Sequence, residues 1–133
     1  MGRDLSELAS YFLPLATKLI EQCALARVPV RVVDTGRTPT EQEQKIAQGV
    51  SWTVRSKHEP QPPEYKSEAI DIVPESILSE HKPDWDPESL DWQRIGVIGI
   101  SLGLRWGGDW TTHKDPSHFE YIWPVPGVEE SIV

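Results

Sequence analysis

The chain has 133 residues, of which 38% are hydrophobic and 26% are charged, enough apolar material for one folded domain around one core. Its 13 Lys and Arg residues stand against 21 Asp and Glu residues, and the formal charge of −8 excludes non-specific nucleic-acid binding through a basic surface. A single cysteine, Cys23, excludes an intrachain disulfide framework and a multi-cysteine zinc site. Any structural metal must therefore be held by His and carboxylate ligands.

The first half of the chain predicts a helix, a strand and a second helix. Apolar residues recur at helical spacing over residues 5–26, where Pro14 predicts either a kink or two shorter helices. Residues 29–34 are β-branched and alternate, which predicts a strand. Thr38-Pro39-Thr40-Glu41 is typical of a capped helix start, and this helix is expected to end at Gly49.

The second half predicts two strands around one long helix. Three prolines within residues 59–67 argue against a helix or a central strand there, whereas residues 69–73 return to strand character. Residues 88–103 predict a helix whose glycines, at positions 96, 99 and 103, allow close packing, and a short strand is expected over residues 117–122. Because helices and strands mix without a regular βαβ alternation, the expected fold class is α+β.

Four histidines, at positions 58, 81, 113 and 118, are the candidate metal ligands. Zinc sites that catalyse hydrolysis use three protein ligands drawn from His, Asp and Glu, and keep one position open. His58, Asp71 and His118 each lie at an edge of predicted strand structure, and Asp71 interrupts an apolar run where an unpaired carboxylate would be costly. His81 and His113 lie in polar sequence and are expected to be solvated, although His113 is close enough in sequence to line the same site. On these grounds alone, ordinary structural histidines remain the alternative.

Several segments together resemble one family. Ser56-Lys57-His58 followed by Ser67-Glu68-Ala69-Ile70-Asp71 resembles the Ser-x-His-x-x-Gly-x-Ala-x-Asp signature of the zinc DD- and LD-peptidases that act on peptidoglycan. Asp115-Pro116-Ser117-His118-Phe119-Glu120 is similar to the second motif of that family, and Asp34-Thr35-Gly36-Arg37-Thr38 and Trp106-Gly107-Gly108-Asp109-Trp110 fit its flanking segments. An Asp rather than a Glu as the catalytic acid resembles the phage endolysin branch, the L-alanyl-D-glutamate peptidases.

The resemblance implies a fold and a set of roles. Residues 1–133 would form a single zinc peptidase domain, a small antiparallel sheet with flanking helices, as in the D-Ala-D-Ala peptidase and hedgehog-like zinc fold. Zn²⁺ would be bound by His58, Asp71 and His118, would polarise the scissile carbonyl and would activate a water molecule. Asp115 would carry the proton of that water to the leaving amine, and Arg37 would stabilise charge on the carbonyl oxygen.

Three further residues are implied with less defined roles. Ser56 would contact substrate or orient the site, with a plain turn hydroxyl as the alternative. Glu120, two residues after His118, would hydrogen-bond a ligand from behind or act as an ordinary structural partner. Trp106, like Trp110, would form a wall of the substrate site or pack in the core.

The implied activity is hydrolysis of the peptidoglycan stem peptide at the L-alanyl-D-glutamate bond. The protein would act as a phage endolysin. It is expected to be a monomer with no nucleic-acid partner and no stable membrane association. The alternatives are a D-alanyl-D-alanine carboxypeptidase and a non-catalytic zinc-containing binding module of the same fold, and the presence of Asp115 and Arg37 favours an enzyme. A structural component that grips the wall would predict a repeat or a wall-binding extension, and the sequence shows neither. No basic segment followed by an apolar one opens the chain, so the protein is expected to be made soluble in the host cytoplasm and to reach the wall after holin-type release or delivery.

Two features depart from the family pattern. His58 and Asp71 are 13 positions apart, farther than in the motif, and the extra residues form the Pro-rich stretch around 59–66. Ser67 stands where the motif has glycine. Neither change removes a ligand, but both are expected to alter the substrate groove.

Overall fold

A computed structural model describes residues 3–36, 57–78 and 84–123 of the chain. The predicted helix that starts near Thr38, together with Arg37, Ser56 and His81, lies outside these residues. Within the described ranges, no helix is long and apolar enough to cross a membrane.

Four antiparallel strands form one sheet in the order β1-β2-β4-β3. The strands are β1 (Val30–Asp34), β2 (Ala69–Pro74), β3 (Arg105–Trp106) and β4 (His118–Glu120). Strand β2 is central and buried at all six positions, because it pairs on both sides and is covered by the helices. This architecture confirms the α+β prediction and the predicted strands at β1, β2 and β4. Strand β3 was not predicted, since two residues are too few to show an alternating pattern.

The predicted helix over residues 5–26 forms as two pieces, which is one of the two outcomes expected from Pro14. A short 3₁₀ turn spans Leu5–Glu7, and helix α1 spans Leu13–Leu25 with Pro14 in its first turn. Proline is tolerated there because the first N–H groups of a helix have no partner within it. Ala16, Leu19 and Cys23 form the buried face of α1, at helical spacing.

Helix α2 (Glu75–Leu78) directly follows β2, and helix α3 (Leu90–Ser101) follows later in the chain. Two glycines of α3 allow it to approach the sheet closely, as predicted. A Cβ atom added to Gly96 would lie 2.6 Å from the Trp106 ring, and one added to Gly99 would lie 2.2 Å from Phe119. Gly103 does not serve packing: it has a φ of +86° and nothing within 4 Å, so it reverses the chain after α3.

The Pro-rich insertion, residues 59–66, closes on itself. The Gln61 N–H donates to the Lys66 carbonyl at 2.8 Å, and the Tyr65 N–H donates to the Gln61 carbonyl at 2.7 Å. Most of its residues are exposed, and Tyr65 is 71% exposed. The insertion is therefore a compact surface turn whose two ends lie close together.

The tight approach of α3 to the sheet gives a stability prediction. We expect Gly99→Ala to lower the free energy of unfolding by about 1–3 kcal/mol because the new methyl group overlaps buried Phe119, although alanine favours a helix by up to about 1 kcal/mol. Urea denaturation would measure the change. The control is Val97→Ala in the same helix, because the Val97 side chain is 64% exposed. Its free energy of unfolding should lie within about 0.5 kcal/mol of that of the parent. A Gly99→Ala protein as stable as the parent would contradict this packing argument.

Candidate active site

Asp71 lies in the middle of the buried strand β2, and strand pairing places it beside the other site residues. Its Cα partner on β4 is His118, and its Cα partner on β1 is Asp34, just after a register shift between Val32 and Asp34. Such bulges redirect side chains and are common next to active sites. The sheet therefore brings together residues that are 47 positions apart in sequence.

Two imidazoles converge on one carboxylate oxygen. Asp71 Oδ1 lies 3.2 Å from His58 Nε2 and 3.2 Å from His118 Nδ1, and one ligand atom from each of the three residues lies within 4.8 Å of the others. Neighbouring ligands of a tetrahedral Zn²⁺ with bonds near 2.0–2.1 Å are about 3.3 Å apart. The spacing of these two pairs, the burial of all three residues and their N₂O donor set fit a zinc ion.

The second nitrogen of each imidazole is held by an acceptor of the protein. His58 Nδ1 lies 3.3 Å from the Thr35 carbonyl, and His118 Nε2 lies 2.8 Å from Glu120 Oε1. A carbonyl and a carboxylate can only accept, so both nitrogens must donate. Their hydrogen bonds leave His58 Nε2 and His118 Nδ1, the atoms that face Asp71, to act as ligands, an arrangement that usually accompanies metal-binding histidines.

The charges of the site are strongly coupled. Burial alone would raise the pKa of Asp71, but the neighbouring His58 and His118 outweigh it and hold that pKa well below its usual range. Burial alone would lower the pKa of His118, yet its hydrogen bonds to Asp71 and Glu120 raise it to about 10. The pKa of Glu120 is lowered against the effect of burial, mainly by the hydrogen bond to His118. The site thus stabilises positive charge between carboxylates.

Asp115 lies in the turn before β4 and is held from several directions. Its N–H donates to the Gly107 carbonyl at 3.0 Å, its carbonyl accepts from the His118 N–H at 3.1 Å, and Ser117 Oγ donates to its Oδ1 at 2.9 Å. Burial and then the negative charge of Asp71 raise its pKa. A carboxyl group beside the ligands, fixed in place and with a raised pKa, is suited to proton transfer.

The two tryptophans of the Trp-Gly-Gly-Asp-Trp segment have different surroundings. Trp106 is 3% exposed, stacks on Phe119 and donates from Nε1 to the Pro116 carbonyl at 2.7 Å. Of the two alternatives for Trp106, a substrate wall or a core aromatic, its burial favours the core, where the ring supports the turn that carries Asp115. Trp110 is only partly buried, and its ring centroid lies 5.1 Å from that of His118. Of these two tryptophans, Trp110 is the one that lies against a residue of the site.

Other predicted site residues are placed as follows. Arg37 and Ser56 lie outside the described residues, and His113 is exposed in the loop between Trp110 and Asp115. No role was predicted for Thr35, yet its buried carbonyl lies 3.3 Å from His58 Nδ1 and holds that ring. The only signal for Thr35 was its position directly after a predicted strand, where site residues often lie.

Comparisons with known proteins identify the same residues as part of one family. A family model described as D-alanyl-D-alanine carboxypeptidase matches residues 53–121, a range that contains His58, Asp71, Asp115 and His118. The L-alanyl-D-glutamate peptidase of Listeria phage A118 is 27% identical over 127 residues, 95% of this chain and 42% of that protein. The peptidoglycan L-alanyl-D-glutamate endopeptidase CwlK of Bacillus subtilis is 40% identical over 45 residues, 29% of this chain and 27% of that protein.

The chain spans less than half the length of these two curated relatives. Among solved structures, that of the Serratia marcescens L-Ala D-Glu endopeptidase ChiX matches with a TM-score of 0.62 at 23% identity, over 89% of this chain and 83% of that one, which establishes a common fold. Since the family model covers just over half of the chain and includes every ligand of the buried trio, the protein belongs to the D-alanyl-D-alanine carboxypeptidase family.

Proposed function

We propose that this chain is a zinc-dependent peptidase that hydrolyses the stem peptide of bacterial peptidoglycan between L-alanine and D-glutamate, and that it acts as a phage endolysin. The observation that carries the proposal is the buried trio of His58, Asp71 and His118, with Asp115 beside it, in a member of this peptidase family. The printed names of the Listeria phage and Bacillus relatives support the choice of bond.

Zinc is the proposed metal because of the donor chemistry. Two imidazoles and one carboxylate, oriented by hydrogen bonds from behind, form a typical three-ligand site for catalytic zinc, whereas Ca²⁺ and Mg²⁺ prefer oxygen ligands. A bound zinc ion would polarise the scissile carbonyl and make a water molecule a stronger nucleophile.

Asp115 is the proposed proton carrier. Its carboxyl is oriented by Ser117, and its main chain is fixed to Gly107. A Cβ atom on Gly107 would lie 2.3 Å from the Asp115 carbonyl oxygen, so glycine is required for this turn to approach so closely. Asp115 would accept a proton from the attacking water and donate it to the amine that leaves. Arg37 is the proposed donor to the carbonyl oxygen.

One alternative activity has a specific observation in its favour. The matching family model carries the description D-alanyl-D-alanine carboxypeptidase, so removal of the terminal D-alanine is the second candidate. The presence of Asp115 argues against a non-catalytic binding module, since three ligands and a water molecule complete a zinc site without it.

One of these relatives also supports a proposal for the biological setting. A phage relative that aligns with 95% of this chain supports the endolysin role, in which the protein is made in the host cytoplasm and reaches the wall through a holin-type lesion or with the phage particle. We propose that the monomer acts on the wall without stable membrane association.

Identification of the cleavage products tests the choice of bond. Purified peptidoglycan would be digested with the zinc-loaded protein, and the new termini would be identified by mass spectrometry after amino-terminal labelling. We expect new D-glutamate amino termini and no free D-alanine. Release of D-alanine alone would establish the carboxypeptidase, and intact peptidoglycan from several bacterial classes would contradict both peptidase activities.

The role of Asp115 can be tested without changing the metal site. Asp115→Asn keeps the size of the side chain but cannot accept a proton, so we expect an unchanged zinc content and peptidoglycan cleavage reduced by at least about 100-fold. Asp109→Asn, an exposed acid in the neighbouring 3₁₀ turn, is the control and should cleave like the parent. Comparable cleavage by the two variants would contradict the role of Asp115 in proton transfer.

The Glu120 carboxylate, which is hydrogen-bonded to His118 Nε2, should influence the affinity of the site for metal. The parent should bind one equivalent of zinc, His118→Ala should bind none, and Glu120→Gln should bind zinc about 10–100-fold more weakly because His118 loses its charged partner. Competition with a chromogenic chelator would measure these affinities. The control is Glu75→Gln, whose carboxylate pairs with Arg31 at the surface. Parent-like affinity in Glu120→Gln would show that this contact is only structural.

A further inference from the structure

Another buried carboxylate, that of Glu68, lies three residues before Asp71 and does not belong to the trio of candidate ligands. Glu68 is fully buried, and its carboxylate accepts from three side chains. Lys57 Nζ lies 2.7 Å from Oε1, Trp123 Nε1 lies 2.7 Å from Oε2, and the Tyr11 hydroxyl also donates to Oε2. The donors come from the segment before α1, the segment that carries His58, and the end of the described chain.

The main chain of Glu68 joins the same segments. Its N–H donates to the Lys57 carbonyl at 2.8 Å, and its carbonyl accepts from the Tyr121 N–H at 2.8 Å. Lys57 is thus held at both its carbonyl and its ammonium group by one residue. The next residue after Lys57 is the ligand His58, and the residue before Tyr121 is Glu120, which holds the ligand His118.

The aromatic residues of this cluster pack against one another. Tyr11, Tyr121 and Trp123 pack against one another with ring centroids 4.9–5.5 Å apart. The polar groups of such rings usually find a partner when they are buried, and Tyr11 and Trp123 both donate to Glu68 Oε2. A buried carboxylate with one cation and two neutral donors is weak evidence for stability, since apolar side chains of similar volume often serve as well. Its distinctive property is a fixed geometry.

We infer that Glu68 is a positioning residue for the metal centre, which it organises by fixing Lys57, and hence His58, against the strand that carries Asp71. The inference rests on the proposed zinc site. It does not require Glu68 to touch the metal or the substrate, because the effect passes through the main chain of Lys57. Glu68 also accepts hydrogen bonds from Tyr121 and Trp123, so it holds the segment that follows β4 as well.

Metal affinity, measured on folded protein, tests this role. Glu68→Gln keeps the size of the side chain but removes the charge that holds Lys57, and we expect zinc to bind about 10–100-fold more weakly in chelator competition. Lys57→Met, at a partly exposed position, should weaken zinc binding to a similar degree, and the double variant should be little worse than either single variant. If Glu68→Gln does not fold, the zinc affinity of Lys57→Met alone tests the inference.

The matched control is Glu64→Gln. Its carboxylate anchors the insertion to Ser10, away from the ligands, and its zinc affinity should stay within about twofold of the parent. Reduced stability alone cannot imitate the expected result, because loss of folded protein changes apparent affinity only when the unfolded fraction is appreciable. Circular dichroism at the assay temperature would establish that each variant is folded.

Histidine ring signals separate this inference from the proposed function. In long-range ¹H–¹⁵N spectra of the metal-free protein, Glu68→Gln should shift the His58 signals and leave those of exposed His113 in place. Parent-like zinc affinity in both Glu68→Gln and Lys57→Met, with parent zinc binding intact, would overturn the inference and leave the proposed function standing. If the parent itself binds no zinc, the metal site is wrong, and unchanged His58 signals would then overturn the inference as well.

Discussion

The carboxylate of Asp71 is the group on which the rest of the site depends. It occupies a strand that is buried throughout, and an ionised carboxylate there would be unstable without compensating charge. Two imidazoles provide that compensation at 3.2 Å each, and each imidazole is in turn held by an acceptor on its far side. The strand order follows the same requirement, since β2 must lie next to β4 for His118 to stand opposite Asp71.

This charge arrangement couples metal binding to protonation of the site. His118, whose pKa is raised to about 10 by Asp71 and Glu120 despite its burial, carries a proton at neutral pH. The proton supplies positive charge between carboxylates, as a metal ion would. A metal ion and this proton therefore compete for the same atoms, so metal binding must release the proton, as is general for histidine ligands.

Much of the fold could be predicted because its elements are long enough to show a period. Strands β1 and β2 and helix α3 gave clear patterns, and Pro14 predicted that the first helical region is kinked or divided. Helix α2 and strand β3, with four and two residues, are too short for any period to be visible. At the site, the ligands followed from motifs, and Glu120 from its two-residue spacing to His118. Thr35 and Glu68 could not be predicted because their roles depend on partners that only the tertiary fold brings near.

The same contacts explain why a longer connection between two ligands leaves the trio intact. The Glu68 N–H donates to the Lys57 carbonyl at 2.8 Å, so the base of the insertion is closed. Ser67, in place of the motif glycine, donates its hydroxyl proton to the Ala69 carbonyl at 2.9 Å and accepts from the Ala69 N–H at 3.2 Å, so it fixes the start of β2. Extra residues beyond a closed base change only the outer surface, because loop-closure entropy grows slowly with length. Changes in the outer part of the insertion are therefore expected to leave the ligand geometry unchanged, because the contact that holds Lys57 lies at the base.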